Sequence, residues 1–113
     1  MYPYLNRLPD VPETTVDEVA SRLEDDPEPL FLLDVREQEE WDDAHIEQAI
    51  LMSLGQLQGH ITEIPTDREI ICICRSGQRS AVATQALERA GYNAKNMKGG
   101  MLEWVRRGHP ITR

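Results

Sequence analysis

Three short, uninterrupted apolar runs constrain this chain most: Leu30-Phe31-Leu32-Leu33, Ala49-Ile50-Leu51-Met52 and Ile70-Ile71-Cys72-Ile73. A strand with one wet face alternates apolar and polar residues, whereas a short run with no polar break suits a strand covered on both faces. Helix-forming segments separate the runs. Thr15-Val16-Asp17-Glu18 has the pattern of a capping box, opening a helix to about Leu23 with Val16, Val19, Ala20 and Leu23 on one face. Glu37 to Ala44 is acidic and helix-forming, and a weak helix is expected between Gly55 and Ile64. Ser80 to Ala90 is amphipathic, with Val82, Ala83, Ala86, Leu87 and Ala90 on one face and Gly91 as a left-handed cap. Asn93 to Met97 reads as a weak further strand, and Gly99-Gly100 opens a last helix, Met101 to Arg107. Up to Pro12 the chain is a proline-punctuated lead-in, with a short edge strand expected around Asp10 and Val11. Strands alternating with helices predict a three-layer α/β fold: a mostly parallel sheet of about five strands with helices on both faces. The 113 residues suffice for one domain, taken as 1–113.

Charge and cysteine content narrow the function. A net charge of -8 disfavours nucleic acid as a partner. The charge is uneven: residues 1–48 carry 15 acids against 3 Lys/Arg, and residues 49–113 carry 5 against 9. An anionic ligand would therefore be handled by the C-terminal half. Cys72 and Cys74 are the only cysteines, and a disulfide between them would close almost no loop. Reduced thiols are expected, and no second cysteine pair supports a metal site. No apolar stretch reaches the roughly 18 residues of a membrane span, and no signal-peptide run opens the chain, so no membrane partner is expected and the expected location is cytoplasmic.

Cys74 stands at the end of a buried strand and is followed by Arg75-Ser76-Gly77-Gln78-Arg79-Ser80 and then a helix. Open parallel sheets bind ligands at this end of their strands. Successive backbone N–H groups in such a turn form an anion-binding nest, and Gly77 lets the chain curl tightly. A thiol held there is expected to fall from about 8.5 into the range of roughly 3.5–7.5, helped by Arg75 and Arg79, which would also hold an anionic substrate.

The loop Cys74-Arg75-Ser76-Gly77-Gln78-Arg79-Ser80 resembles the active-site loop of rhodanese-homology domains. Leu33-Asp34-Val35-Arg36-Glu37, with Glu40-Trp41 and His45-Ile46 through Ala49, is similar to that family's first signature. Lys98-Gly99-Gly100-Met101 through Trp104 resembles its C-terminal one, so the likeness covers about residues 12–110. The family often has Gly where this chain has Ala44 and Gln48, and Ile-Pro near Met52-Ser53. The resemblance implies a cofactor-free sulfurtransferase. Cys74 would take sulfur from a small anionic donor such as thiosulfate, hold it as a persulfide, and pass it to a thiol, a cyanide-like acceptor or a protein. Two other readings stand beside it: a binding or sensing module using the same loop, and a phosphatase or arsenate reductase of the same fold. Phosphatases of that fold resemble this chain less, because they place five residues between Cys and Arg, and here four separate Cys74 from Arg79.

Among the remaining candidates, Asp34 and Arg36 at a strand end are read as a structural pair that could touch substrate. Cys72 is read as core packing, His45 as a structural histidine, and Trp41 and Trp104 as packing. His60 and His109 lie in polar, turn-like surroundings and carry no signal.

Overall fold

The runs at Leu30 and Ile70 become inner strands of a five-stranded parallel sheet in the computed structural model, which describes residues 8–113, whereas the run at Ala49 forms an edge strand with Ile50 half-exposed. In chain order the elements are β1 (Glu13–Thr14), α1 (Val16–Asp25), β2 (Leu30–Asp34), α2 (Gln38–Asp43), β3 (Ala49–Leu51), α3 (Leu54–His60), β4 (Glu69–Ile73), α4 (Gln78–Arg89), β5 (Ala94–Met97) and α5 (Gly100–Arg106). A 3-10 turn, Ile61–Glu63, extends α3. The strands lie in the order β1-β5-β4-β2-β3. The edge strand forms three residues later than the sequence suggests, at Glu13–Thr14 instead of around Asp10 and Val11. The reason is local: Pro12 has no N–H to donate, but its carbonyl accepts from Asn96 N–H at 2.9 Å and so begins the pairing.

Both sheet faces are covered. Leu32, Ile71, Ile73 and Met97 pack under α1 and α5 through Val16, Val19, Met101 and Trp104. Leu33, Ile70, Cys72 and Ala94 point the other way, under α3 and α4 through Leu57, Ala83 and Leu87. In β2 and β4 neighbours in sequence serve opposite faces, which is why those two runs are apolar throughout. Of the expected capping box, the hydroxyl half forms: Thr15 Oγ1 accepts from Glu18 N–H at 3.1 Å. Gly91, with φ +94°, closes α4 as expected. Trp104 is buried and donates its indole N–H to the Pro110 carbonyl at 2.8 Å, tying down the C-terminal segment. Among the described residues no helix is long and apolar enough to cross a membrane.

The sheet order places the site. From β4 the chain crosses to β5 on one side, and from β2 it crosses to β3 on the other. The carboxyl ends of β2 and β4 therefore flank a topological switch point, where such sheets leave a crevice. Cys74 is the first residue beyond β4.

Candidate active site

The loop after β4 and the first turn of α4 converge on the Cys74 sulfur. Beyond β4 the loop turns through Gly77, at φ +98°, straight into α4, so that the N–H groups of the turn face inward. Gly77 N–H donates to Sγ at 3.1 Å, and the Ser80 hydroxyl, in the first turn of α4, lies 3.2 Å from it. From the opposite sheet face, the start of α5 takes the loop's carbonyls. Met101 N–H donates to the Cys74 carbonyl at 2.8 Å and Leu102 N–H to that of Arg75 at 3.0 Å. With its carbonyls held by α5, the loop is free to turn its amides toward sulfur.

That backing depends on Gly100. It has φ +59°, and a Cβ there would lie 2.5 Å from the Arg75 carbonyl oxygen. A side chain is excluded twice over, by backbone conformation and by space.

The electrostatics follow from these contacts. Burial opposes ionisation of Cys74, but the Ser80 hydroxyl and the N–H groups of Ser80, Gly77 and Ser76 outweigh it and hold the thiol below its ordinary range. Cys72, two residues earlier, is pushed up to about 12 by burial, only partly offset by a hydrogen bond with Thr84. It packs in the core between β4 and α4. One thiol is prepared to ionise and its neighbour is held neutral.

The two loop arginines face different surroundings. Arg79 is engaged by Glu40 of α2, Nη1 to Oε1 at 2.7 Å and Nη2 to Oε2 at 2.8 Å. The sequence assigns Arg79, with Arg75, to an anionic substrate; in the structure its forked donors meet a carboxylate 39 residues upstream. Arg75 is exposed, and among the described residues no carboxylate lies within salt-bridge distance of it. It borders a cavity of about 260 Å³ together with Arg36, Glu40, Asp43, Leu102 and Val105. A larger cavity of about 350 Å³, lined by Leu23, Glu24, Trp104 and Pro110, contains no residue of the loop.

Asp34 and Arg36 meet at the end of β2. Arg36 Nε donates to Oδ1 and Oδ2 at 3.0 and 3.1 Å, and Nη2 to Oδ2 at 2.9 Å. Nη1 and Nη2 also donate to the carbonyls of Glu40 and Ala44, at 3.2 and 2.7 Å, which fixes the C-terminal end of α2. Gln78 and Ser76 are exposed on the loop's outer side. His45 stacks on Trp41 at 3.7 Å and pairs through its backbone with Thr112. His109, given no weight in the sequence, pairs with Asp17 at 2.7 Å and packs on Trp104. Two residues were missed. Glu40 was noted only as part of a resemblance. Asn96, a lone polar residue in the buried part of β5, bonds both Ser80 and Gly77.

Comparison with known proteins decides the family. The model of the Rhodanese-like domain matches residues 15–107. This chain is a member of the rhodanese-like family. A relative named Sulfurtransferase, from Allochromatium vinosum, is 34% identical over 103 residues, covering 90% of this chain and 95% of its own. YtwF of Bacillus subtilis, provisionally named a sulfurtransferase, is 34% identical over 95 residues, with 84% and 91% covered. A solved rhodanese-related protein from Thermoplasma volcanium superposes with a TM-score of 0.83 at 25% identity, over 89% of this chain and 97% of that one.

Proposed function

We propose that this rhodanese-like domain is a sulfurtransferase that carries sulfane sulfur on Cys74. The observation that supports it best is the inward convergence of Gly77 N–H and the Ser80 hydroxyl on a single buried sulfur, backed by α5. Such a nest stabilises an anion on sulfur without a separate base. The Cys74 thiolate attacks the outer sulfur of thiosulfate. The new S–S bond forms as the donor's S–S bond breaks, and sulfite leaves with the electron pair of the broken bond. Cys74 then bears a persulfide, Cys74-S-S⁻. A thiolate or cyanide attacks the outer sulfur, forms a bond to it and restores the Cys74 thiolate.

In this reading Arg75 meets the anionic donor, which its exposure beside the cavity next to the loop supports. Arg79 instead braces α4 against α2 through Glu40. The sulfurtransferase names of two full-length relatives agree with this reading. A single-turnover assay tests it. Protein mixed with excess thiosulfate and no acceptor should release one sulfite per Cys74 in a burst and then stop. Adding cyanide should restart turnover and yield thiocyanate. No burst, or a burst in Cys74→Ser, contradicts the proposal.

A further inference from the structure

The Ser80 hydroxyl has one proton and two acceptors within reach. Its Oγ lies 2.6 Å from Asn96 Oδ1 and 3.2 Å from Cys74 Sγ. One hydroxyl proton serves one of them at a time. Asn96 is 3% exposed, and its Nδ2 donates to the Gly77 carbonyl at 3.0 Å. That contact settles the amide's orientation: nitrogen faces a carbonyl, so oxygen faces the hydroxyl. Asn96 thus reaches the sulfur by two routes, through Ser80 and through the residue whose N–H donates to Sγ.

We propose that Asn96 is a positioning residue that competes with Cys74 for the Ser80 proton, so that the site alternates between two hydrogen-bonding states as sulfur is loaded and unloaded. This rests on the persulfide reading above. While Cys74 is a thiolate, Ser80 donates to Sγ and Asn96 Oδ1 loses its donor. Once sulfur is loaded, the negative charge sits on the outer sulfur and the inner one is a neutral, weak acceptor. The Ser80 proton then returns to Asn96. A buried acceptor without a partner is costly, so Asn96 disfavours the free thiolate relative to the loaded state and tilts the site toward accepting sulfur.

The other groups around Cys74 do not supply this alternation. Toward it from α4 and α2 lies the Arg79–Glu40 pair, and from the end of β2, beside Ile73, the Arg36–Asp34 pair, both closed. Arg75 lies in the loop itself, and Cys72 on β4 is held neutral by burial. From β5 comes Asn96, which carries no charge.

The test is a cycle of four proteins in a Cys72→Ala background: the parent, Asn96→Ala, Ser80→Ala and the double variant. Each is titrated for the pH midpoint of iodoacetamide labelling at Cys74. In the presence of Ser80, Asn96→Ala releases a proton to the thiolate. In its absence, only the Gly77 contact is lost. The midpoint shift caused by Asn96→Ala should therefore be lower, by at least about 0.5 unit, with Ser80 than without it. Equal shifts in both backgrounds overturn the proposal and leave Asn96 a brace for Gly77.

A measurement on the unaltered side chains guards against variants that do not fold. The Asn96 side-chain carbon and nitrogen resonances should move as Cys74 ionises, then return toward their thiol-state positions in protein whose persulfide is verified by intact mass. A mere field effect of nearby charge would leave them displaced in the persulfide, and that result overturns the relay. Failure to form any persulfide counts against the parent reading, while the labelling cycle still decides the relay.

Discussion

Arg79 closes a two-point ion pair with Glu40, at 2.7 and 2.8 Å, joining the first turn of α4 to α2. Glu40 also accepts the Glu37 N–H at 3.0 Å, so one carboxylate organises both the start of α2 and the far side of the Cys74 loop. The hydrogen bonds from Arg79 lower the Glu40 carboxyl to about 2, against burial. A carboxyl depressed in the folded state stabilises above its unfolded value and loses that contribution as pH falls through its folded one. Glu40→Gln should therefore lower stability at neutral pH. The side chains are 27% and 35% exposed, so screening limits the loss to about 1 kcal/mol. Urea unfolding of both proteins should show the gap closing as pH falls from about 4.5 toward 2. A gap that persists unchanged at pH 2 contradicts the ion-pair account.

The two loop arginines should separate kinetically. Arg75→Ala is expected to raise KM for thiosulfate by roughly 10-fold or more, the loss of a charge-assisted contact, with little change in kcat. Added salt should weaken the wild type in the same direction. Arg79→Ala should act mainly on stability and on loop order. Equal KM effects in the two variants would return Arg79 to the substrate.

The thiolate is attributed to hydrogen bonds from Ser80 and the loop amides, and its pKa is lowered. With Cys72→Ala as background, iodoacetamide labelling of Cys74 should show a midpoint below about 8.5, and Ser80→Ala should raise it. A midpoint unaffected by Ser80→Ala would shift the stabilisation to the backbone alone.

Gly100→Ala tests the backing by α5. Its Cβ would press on the Arg75 carbonyl oxygen, and an Ala at φ +59° is itself strained. We predict a loss of about 2–4 kcal/mol in denaturant unfolding, with slower Cys74 labelling at neutral pH because the loop is displaced. Normal labelling in a destabilised variant would show that α5 supports the fold and not the site.

Much of this was readable from the chain alone, for physical reasons. The runs at Leu30 and Ile70 have to be inner strands because both faces are buried, and Cys74 inherits its place from the second; the run at Ala49 looked the same but lies at the sheet edge, where Ile50 is exposed. The Gly77 turn and the helix after it were local signals. Cross-element pairings were not readable. Glu40 and Arg79 meet only because the sheet order sets β4 beside β2. Asn96 meets Ser80 only because β5 lies on the other side of β4. The signal for Asn96 was present but faint: a polar side chain next to Met97, at a buried position of the strand, needs partners. The role of Gly99-Gly100 likewise required knowing what packs against it, the carbonyls of Cys74 and Arg75.

Intact-mass spectrometry after incubation with thiosulfate tests the central claim most directly. The wild type should gain about 32 Da, one sulfur atom, and dithiothreitol should remove it. Cys72→Ala should gain the same mass and Cys74→Ser none. A wild type that gains nothing, or a Cys74→Ser protein that gains the same mass, contradicts the assignment of Cys74 as the sulfur carrier.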